Sequence, residues 1–453
     1  MRTFDVVVIG AGPAGEVAAG RLGGDGLETA LVERELVGGE CSYWACMPSK
    51  ALLRPGELLA EVRRVPGARE AVTGSLDVTS TLHRRDRVIH DLDDSSQLPW
   101  LQDRGVTVIR GEATVTGERR LTVGGDEIEA RKAIVLASGS SALVPPIEGL
   151  RESHPWTNRE VTTTHHVPAS LVILGGGVVG SEMAQAYSSF GTHVTLIEAF
   201  DRILSKEEPF ASEQVKTALE RRGVRIELGR KAVKVETAAG QKTVTLEDGT
   251  TASGDELLVA IGRRPNTAPV EGLGYEPGEP VAVDDWMVSH KHDWLYAIGD
   301  VNGVALLTHM GKYQASIAAD HIAGRRTYAQ TVANGPRSPR VTFTDPQVAA
   351  VGHTEASAKE AGLHYRVVEV ETSGNAGGSF VGRGAPGTTR MIVDEERRVI
   401  VGATVTGAEV ADYIQPFSIA IVAEVPVERL WHAVAPFPTR SELWLRLLES
   451  YGR

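Results

Sequence analysis

Cys41 and Cys46 are the only cysteines in this chain of 453 residues. They lie in the segment Gly38-Gly39-Glu40-Cys41-Ser42-Tyr43-Trp44-Ala45-Cys46-Met47-Pro48-Ser49-Lys50. Two thiols cannot staple a chain of this length, and in a reducing compartment such a pair is redox-active or metal-binding more often than structural. A closed zinc site needs four ligands, and no further Cys or His flanks the pair, so redox chemistry is the better reading and no metal is expected. A dithiol exchanges electron pairs with a disulfide by thiolate attack. It also exchanges them with an isoalloxazine ring, and the elements around the pair must then hold such a ring.

Those elements come twice. Apart from Asp5, Phe4 to Ile9 is an apolar, β-branched run, the signature of a strand buried on both faces. It leads into Gly10-Ala11-Gly12-Pro13-Ala14-Gly15, a helical stretch, and a second strand ending on Glu33. Leu171 to Leu174 leads likewise into Gly175-Gly176-Gly177-Val178-Val179-Gly180, the helix SEMAQAYSSF, and a strand ending on Glu198. Both acids stand 18 residues past the third glycine. Glycines at this spacing give a tight turn and bring the backbone close to a pyrophosphate at a helix N-terminus, and the acid reaches the ribose hydroxyls. Two dinucleotides are expected. The dithiol follows Glu33 by only eight residues, which places FAD on the first unit and the nicotinamide nucleotide on the second. Glu198 would accept from a ribose 2′-hydroxyl and repel a 2′-phosphate, which favours NADH over NADPH, although Arg202 follows shortly.

Composition bounds the partners. Lys and Arg number 47 against 59 Asp and Glu, a formal charge of −12, with 42% hydrophobic and 23% charged residues. An acidic globular chain without long basic runs argues against nucleic acid or an anionic membrane surface as a partner. No apolar run reaches the roughly 18 residues of a membrane span. The opening MRTFDVVVIG has one Arg and is interrupted by Asp5, so it reads as a buried strand and not as a signal peptide, and the protein as cytoplasmic.

Taken together, these segments resemble the flavoprotein disulfide reductases, with dihydrolipoamide dehydrogenase as the nearest well-known type. Gly38 to Lys50 resembles the redox-active disulfide motif. Ile134-Val135-Leu136-Ala137-Ser138-Gly139-Ser140 and Val259-Ala260-Ile261-Gly262-Arg263-Arg264-Pro265-Asn266 resemble the family's domain crossovers. Tyr296-Ala297-Ile298-Gly299-Asp300 resembles the second FAD motif, and Thr344-Asp345-Pro346 onward the opening of a dimerisation domain. The fold implied is α/β: two Rossmann-type dinucleotide-binding domains, the NAD domain inserted in the FAD domain, followed by a C-terminal α+β dimerisation domain. The expected divisions are 1–150 with 270–335 for FAD, 151–269 for NAD(P)H, and 336–453 for the interface of a homodimer.

The resemblance also implies roles. Cys46 would be the thiol beside the flavin and Cys41 the outer thiol that meets the substrate. Lys50 would lie near flavin N5 and pair with Glu182, and Glu442 would orient the family's acid–base histidine. The implied cofactor-binding positions are Gly10, Gly12, Gly15, Glu33, Gly39, Lys50, Ser138, Gly139, Gly175, Gly177, Gly180, Glu198, Gly262, Gly299 and Asp300. One departure stands out. The closing segment reads Ala435-Pro436-Phe437-Pro438-Thr439-Arg440-Ser441-Glu442, with Phe437 where the family carries its histidine. His432 lies five residues upstream and reads as an ordinary exposed or packed histidine. His165, His166 and His309 carry no assigned role. Tyr43 and Trp44 are bulkier than the family's usual residues between the cysteines, and either pack or re-line the pocket. A mercuric reductase is disfavoured because no C-terminal cysteine pair exists.

Three functions remain open at this point. The first is an NADH- and FAD-dependent reductase of a small disulfide or similar acceptor. The second is an NADH:quinone or diaphorase-type enzyme in which the disulfide is auxiliary. The third is a cofactor-binding sensor without steady turnover, which the intact motifs disfavour.

Overall fold

The computed structural model describes residues 1–326, 333, 335–382, 384–385 and 387–452. It divides into two compact units. The first comprises Met1–Pro48, Arg85–Leu143 and Arg263–Gly335; the second comprises Ser49–Arg84, Val144–Gly262 and Pro336–Arg453.

In the first unit, the described residues form a seven-stranded sheet. Its parallel part runs Thr107–Arg110, Thr29–Glu33, Arg2–Ile9 and Asp126–Leu136, with Leu295–Ala297 also parallel to Asp126–Leu136. Antiparallel strands Arg120–Val123 and Ala113–Gly117 extend the other edge. Val6, Val7 and Val8 are all fully buried although successive side chains point to opposite faces. Both faces are therefore covered, as the apolar run from Val6 to Ile9 requires. Helix α1 (Pro13–Gly24) follows the first strand. Its small residues Ala18, Ala19 and Gly20 are buried, which lets the helix lie close on the sheet. Helix α2 (Cys46–Arg64) begins in this unit and continues into the second.

The second unit carries a four-stranded parallel sheet in the order Arg225–Leu228, His193–Glu198, Ser170–Leu174, Glu256–Val259. Helix α3 (Val178–Ser189) connects its first two strands in sequence. The C-terminal part is a five-stranded antiparallel sheet of Arg340–Thr342, Gln347–Gly352, Val399–Gly407, Thr388–Asp394 and Tyr365–Glu371. Helices Ile414–Val422 and Leu443–Tyr451 pack on it around Phe417, Leu447 and Met391. The mixed α/β architecture with two dinucleotide-type units and a C-terminal α+β region is the one expected from the sequence. Grouping by packing joins residues 49–84 and the C-terminal region to the second unit. The threefold division named above stays a proposal about function. Among the described residues no helix is long and apolar enough to cross a membrane.

Candidate redox and cofactor site

The two glycine loops are built alike. Gly10 and Gly175 have φ of +97° and +103°, the left-handed region that favours glycine, and a Cβ at either would meet the Ala137 or Ala260 carbonyl oxygen at 2.4 Å. A Cβ at Gly15 would sit 1.8 Å from the Gly10 oxygen, and one at Gly180 would sit 1.9 Å from the Gly175 oxygen. By contrast, a Cβ at Gly12 or Gly177 would meet nothing within 4 Å. These two residues are the N-caps of α1 and α3, and neither helix has a side chain capping its N-terminus. Each loop therefore leaves open space over uncapped N–H groups, which is the form of an anion cradle. A dinucleotide pyrophosphate fits both.

The acids are held in place by backbone donors. Glu33 accepts from Ala11 N and Glu35 N, both at 2.7 Å. Glu198 accepts from Gly176 N at 2.6 Å and Phe200 N at 2.9 Å. Arg202 donates to the Ser205 carbonyl and is not aimed at Glu198. Gly15→Ala should lower FAD retention, and Gly180→Ala should keep FAD while raising the KM for NADH by ~10–100-fold, since backbone overpacking costs about 1–3 kcal/mol. Flavin content and steady-state kinetics on both variants check it; the opposite pattern would reverse the cofactor assignment.

The cysteine segment lies against the first loop. Gly38 N donates to the Ala11 carbonyl at 2.8 Å, and a Cβ at Gly39 would come within 2.7 Å of the Gly12 Cα. Cys41 and Cys46 are both partly exposed, and their thiols are in hydrogen-bond contact. That contact, and then burial, push the Cys41 thiol up from its ordinary range. Cys46 is the first residue of α2, and its Sγ lies 3.5 Å from the Thr308 hydroxyl at the start of α4 (Thr308–Ile322). Thr308 also lowers the Cys41 thiol by hydrogen bonding. Tyr43 is buried, and Trp44 packs edge-on against it with ring centroids 5.8 Å apart.

Ser138, Gly139, Gly299 and Asp300 come together in the first unit. Ser138 donates to the Asn266 carbonyl at 2.6 Å, and Asn266 N donates to the Gly139 carbonyl at 3.0 Å. Ser140 donates to Asp300 at 2.5 Å while accepting from Arg263 Nε at 2.6 Å. Burial raises the Asp300 carboxyl. Gly299 N donates to Gln314 at 2.7 Å, while Gly262, at φ +143°, closes the middle segment of the second unit.

In the second unit, Lys50 Nζ lies 2.7 Å from Glu182 Oε2, and Phe343 N donates to the other oxygen at 2.9 Å. The Glu182 side chain is 3% exposed and that of Lys50 34%. The ammonium also stands 4.7 Å from the Phe343 ring centroid. A Lys50→Met variant would leave a buried carboxylate with one backbone donor, so it should unfold about 3 kcal/mol more easily, with Glu182→Gln restoring part of the loss. Urea denaturation of the single and double variants measures this, and no difference between them would mean that the pair contributes nothing.

The closing segment differs in character. Phe437 is 76% exposed and His432 is exposed. Glu442 sits in the short turn Arg440–Glu442, and its Oε2 is buried without a hydrogen-bond partner. His165, His166 and His309 add no geometry that assigns them a role. Among the described residues no group of three or more His, Cys, Asp or Glu side chains could hold a metal ion.

Sequence reasoning missed Glu16, Thr308 and Lys312. Glu16 is 9% exposed on α1, its Oε1 is buried without a partner, and burial raises its carboxyl to about 7. A glutamate inside the Ala- and Gly-rich start of a close-packed helix was the available signal.

Comparison with known proteins agrees with this geometry. Residues 4–321 match the family model described as pyridine nucleotide-disulphide oxidoreductase, and residues 338–447 match its dimerisation domain. The chain is 32% identical to a dihydrolipoyl dehydrogenase of Rhizobium etli, over 100% of this chain and 98% of that protein. It is 28% identical to a mercuric reductase of Staphylococcus aureus, over 97% of this chain and 81% of that protein. Among solved structures, the Cu(II) complex of the HOCl-induced flavoprotein disulfide reductase RclA from Escherichia coli superposes with a TM-score of 0.86 at 26% identity, covering 99% of each chain. With two uncapped glycine cradles, a dithiol against the first of them and a matching dimerisation domain, the chain belongs to the pyridine nucleotide-disulphide oxidoreductases: a homodimeric flavoprotein enzyme that uses FAD and NAD(P)H.

Proposed function

We propose that this enzyme passes electrons from NADH through FAD to the Cys41–Cys46 pair, and from there to a small activated disulfide. The observation that supports this reading is the contact of the two thiols with each other and with Thr308, in a segment packed on the first glycine loop. FAD, when bound, supplies the two-electron relay between nicotinamide and disulfide. The chain supplies the rest. Breaking the Cys41–Cys46 bond takes two electrons and leaves two sulfurs sharing the one proton of the hydride. Cys41 then attacks a substrate sulfur, the substrate S–S bond breaks, and the first thiolate leaves. Cys46 attacks Cys41, which reforms the internal disulfide and releases the second thiol. Cys46 stands at the first turn of α2, and a helix N-terminus stabilises negative charge. Glu198, which accepts from two backbone N–H groups, would select a free ribose hydroxyl and hence NADH. A cytoplasmic setting suits a cysteine pair that cycles between dithiol and disulfide.

A second reading, reduction of a quinone or dye with the disulfide as a bystander, is favoured by Phe437. An exposed phenyl ring cannot transfer protons, and a flat apolar acceptor needs no base at that position. Anaerobic titration with NADH separates the two. A long-wavelength band after one equivalent, from the Cys46 thiolate against oxidised flavin, supports the disulfide path. Direct bleaching without that band would sink it and leave the quinone reading.

A further inference from the structure

Three groups meet at the redox site, and in the reduced enzyme they hold fewer hydrogens than contacts. Cys46 Sγ lies 3.5 Å from the Thr308 hydroxyl oxygen, within hydrogen-bond reach of a sulfur. Cys41 is hydrogen-bonded to the same hydroxyl and to Cys46. The contacts close a triangle of two sulfurs and one oxygen. A reduced pair that keeps one proton has a single S–H, and threonine adds a single O–H, so each hydrogen must choose among the contacts. The hydroxyl can both give and receive, and turning about its Cβ–Oγ bond carries its hydrogen from one sulfur to the other without moving a heavy atom. The oxygen itself is held fast. Thr308 is the first residue of α4 and is β-branched, which restricts its side chain to few rotamers. A Cβ at Gly311, one turn on, would lie 3.2 Å from the Ala14 Cβ, so α4 packs closely on α1 at that point. Gln314, wholly buried, accepts from Gly299 N at 2.7 Å and Asn302 Nδ2 at 2.9 Å, which ties the same helix to the Gly299–Asn302 turn. Lys312, between these anchors, acts on Cys41 as a cation.

We propose that Thr308 is a catalytic residue of the disulfide half-reaction: its hydroxyl gives its hydrogen to whichever sulfur carries the charge, first Cys46 and then Cys41, and passes the one proton of the pair between them. The proposal rests on the disulfide path set out above and deepens it. Two electrons and one proton from NADH, by way of the flavin, open the internal disulfide and leave Cys46 as thiolate and Cys41 as thiol. The Thr308 O–H donates to the Cys46 sulfur, and a hydrogen bond to a charged acceptor is stronger than one to a neutral acceptor. To activate Cys41, its S–H proton moves to Thr308 Oγ1 while the hydroxyl's own hydrogen moves to Cys46 Sγ. The hydroxyl keeps one hydrogen throughout, and that hydrogen now points to the Cys41 thiolate. Cys41 forms a bond to a substrate sulfur, the substrate S–S bond breaks, and the first product leaves as a thiolate. Cys46 then attacks Cys41, its proton passes to the departing sulfur, and the second product leaves as a thiol. The electron pair and the proton that entered have both left. The relay works within the protein's own pair, so it asks nothing of position 437, where the chain carries a phenylalanine.

The test uses the intact flavoprotein, treated anaerobically with one equivalent of NADH. It compares Thr308→Val, which keeps the shape and removes the hydroxyl, with Thr308→Ser, which keeps the hydroxyl. The readouts, both at fixed pH, are the position of the long-wavelength band and the rate of Cys41 carbamidomethylation by peptide mass spectrometry. In Thr308→Val the band should move to longer wavelength, because a thiolate that has lost its hydrogen-bond donor gives up electron density more easily. Cys41 labelling should slow by ~10–100-fold, the span of one hydrogen bond to a charged group. Thr308→Ser should keep the parent's band and rate. A threonine that only fills space would be replaced by valine with neither readout changed. Flavin content shows whether each variant is folded, and Thr308→Ala takes the place of the valine variant if that protein loses its flavin. A hydroxyl-free variant that matches the parent in both readouts, or a serine variant that behaves like the valine one, overturns the proposal and leaves the disulfide path standing. Absence of the band in the parent overturns the disulfide path, and this proposal with it.

Discussion

A Cys41→Ser enzyme should keep its flavin and still be reduced by NADH, while its turnover of a small activated disulfide falls by at least ~10³-fold. The reason is chemical. A serine hydroxyl forms no mixed disulfide, so the substrate S–S bond has no attacking group, and Cys46 alone cannot release a mixed disulfide once formed. FAD retention should be untouched, because the contacts that seat this segment on the glycine loop are made by Gly38 and Gly39. Cys46→Ser should lose disulfide turnover as well, and with it the long-wavelength band. Full activity of Cys41→Ser with disulfides would end the proposed path, and full activity with quinones only would establish the alternative.

Dihydrolipoamide should be oxidised ~10²–10⁴-fold more slowly than by an enzyme with the family's histidine, the span a positioned acid–base group contributes. Oxidising a dithiol requires a base for the incoming substrate thiol. Phe437 offers none, and Glu16 is too deeply buried to serve. Glu442 supplies the complementary observation: its Oε2 is buried without a partner, the state expected of a carboxylate whose imidazole is missing. Phe437→His should therefore raise dihydrolipoamide oxidation, and Phe437→His combined with Glu442→Gln should raise it less. Turnover with NAD and dihydrolipoamide, measured side by side for the three proteins, decides the matter. Parent activity equal to that of the histidine variant would mean that position 437 does not carry the base.

Much of this site can be read in the sequence because the determinants are local. Gly10 to Gly15 and Gly175 to Gly180 owe their shape to contacts within the loop and with one neighbouring strand end. The acid 18 residues on reaches back because a helix and a strand of fixed rise separate them. The buried strands declare themselves by apolar runs, and the C-terminal sheet by its β-branched ones. What stays hidden depends on packing between distant segments. Thr308 and Lys312 reach the cysteines from more than 250 residues away, through the close packing of α4 on α1. Glu16 has the spacing of an ordinary helical glutamate; only the smallness of its neighbours, which draws α1 inward, makes it a buried one. Packing likewise places residues 49–84 with the second unit, since α2 carries Lys50 toward Glu182 just after the last cysteine.

The empty space beside Gly12 and Gly177 has a genetic consequence. Gly15 and Gly180 are enforced by the chain, because any side chain there collides with its own backbone. Gly12 has extended backbone, φ −68° and ψ 177°, and open surroundings, so an alanine there leaves the fold nothing to reject. Cellular quality control removes proteins that unfold, not those that fail to bind. A Gly12→Ala chain should accumulate at normal abundance as a folded, colourless subunit. Gly15→Ala, whose added side chain collides with the chain's own backbone, should by contrast lower abundance as well as flavin content.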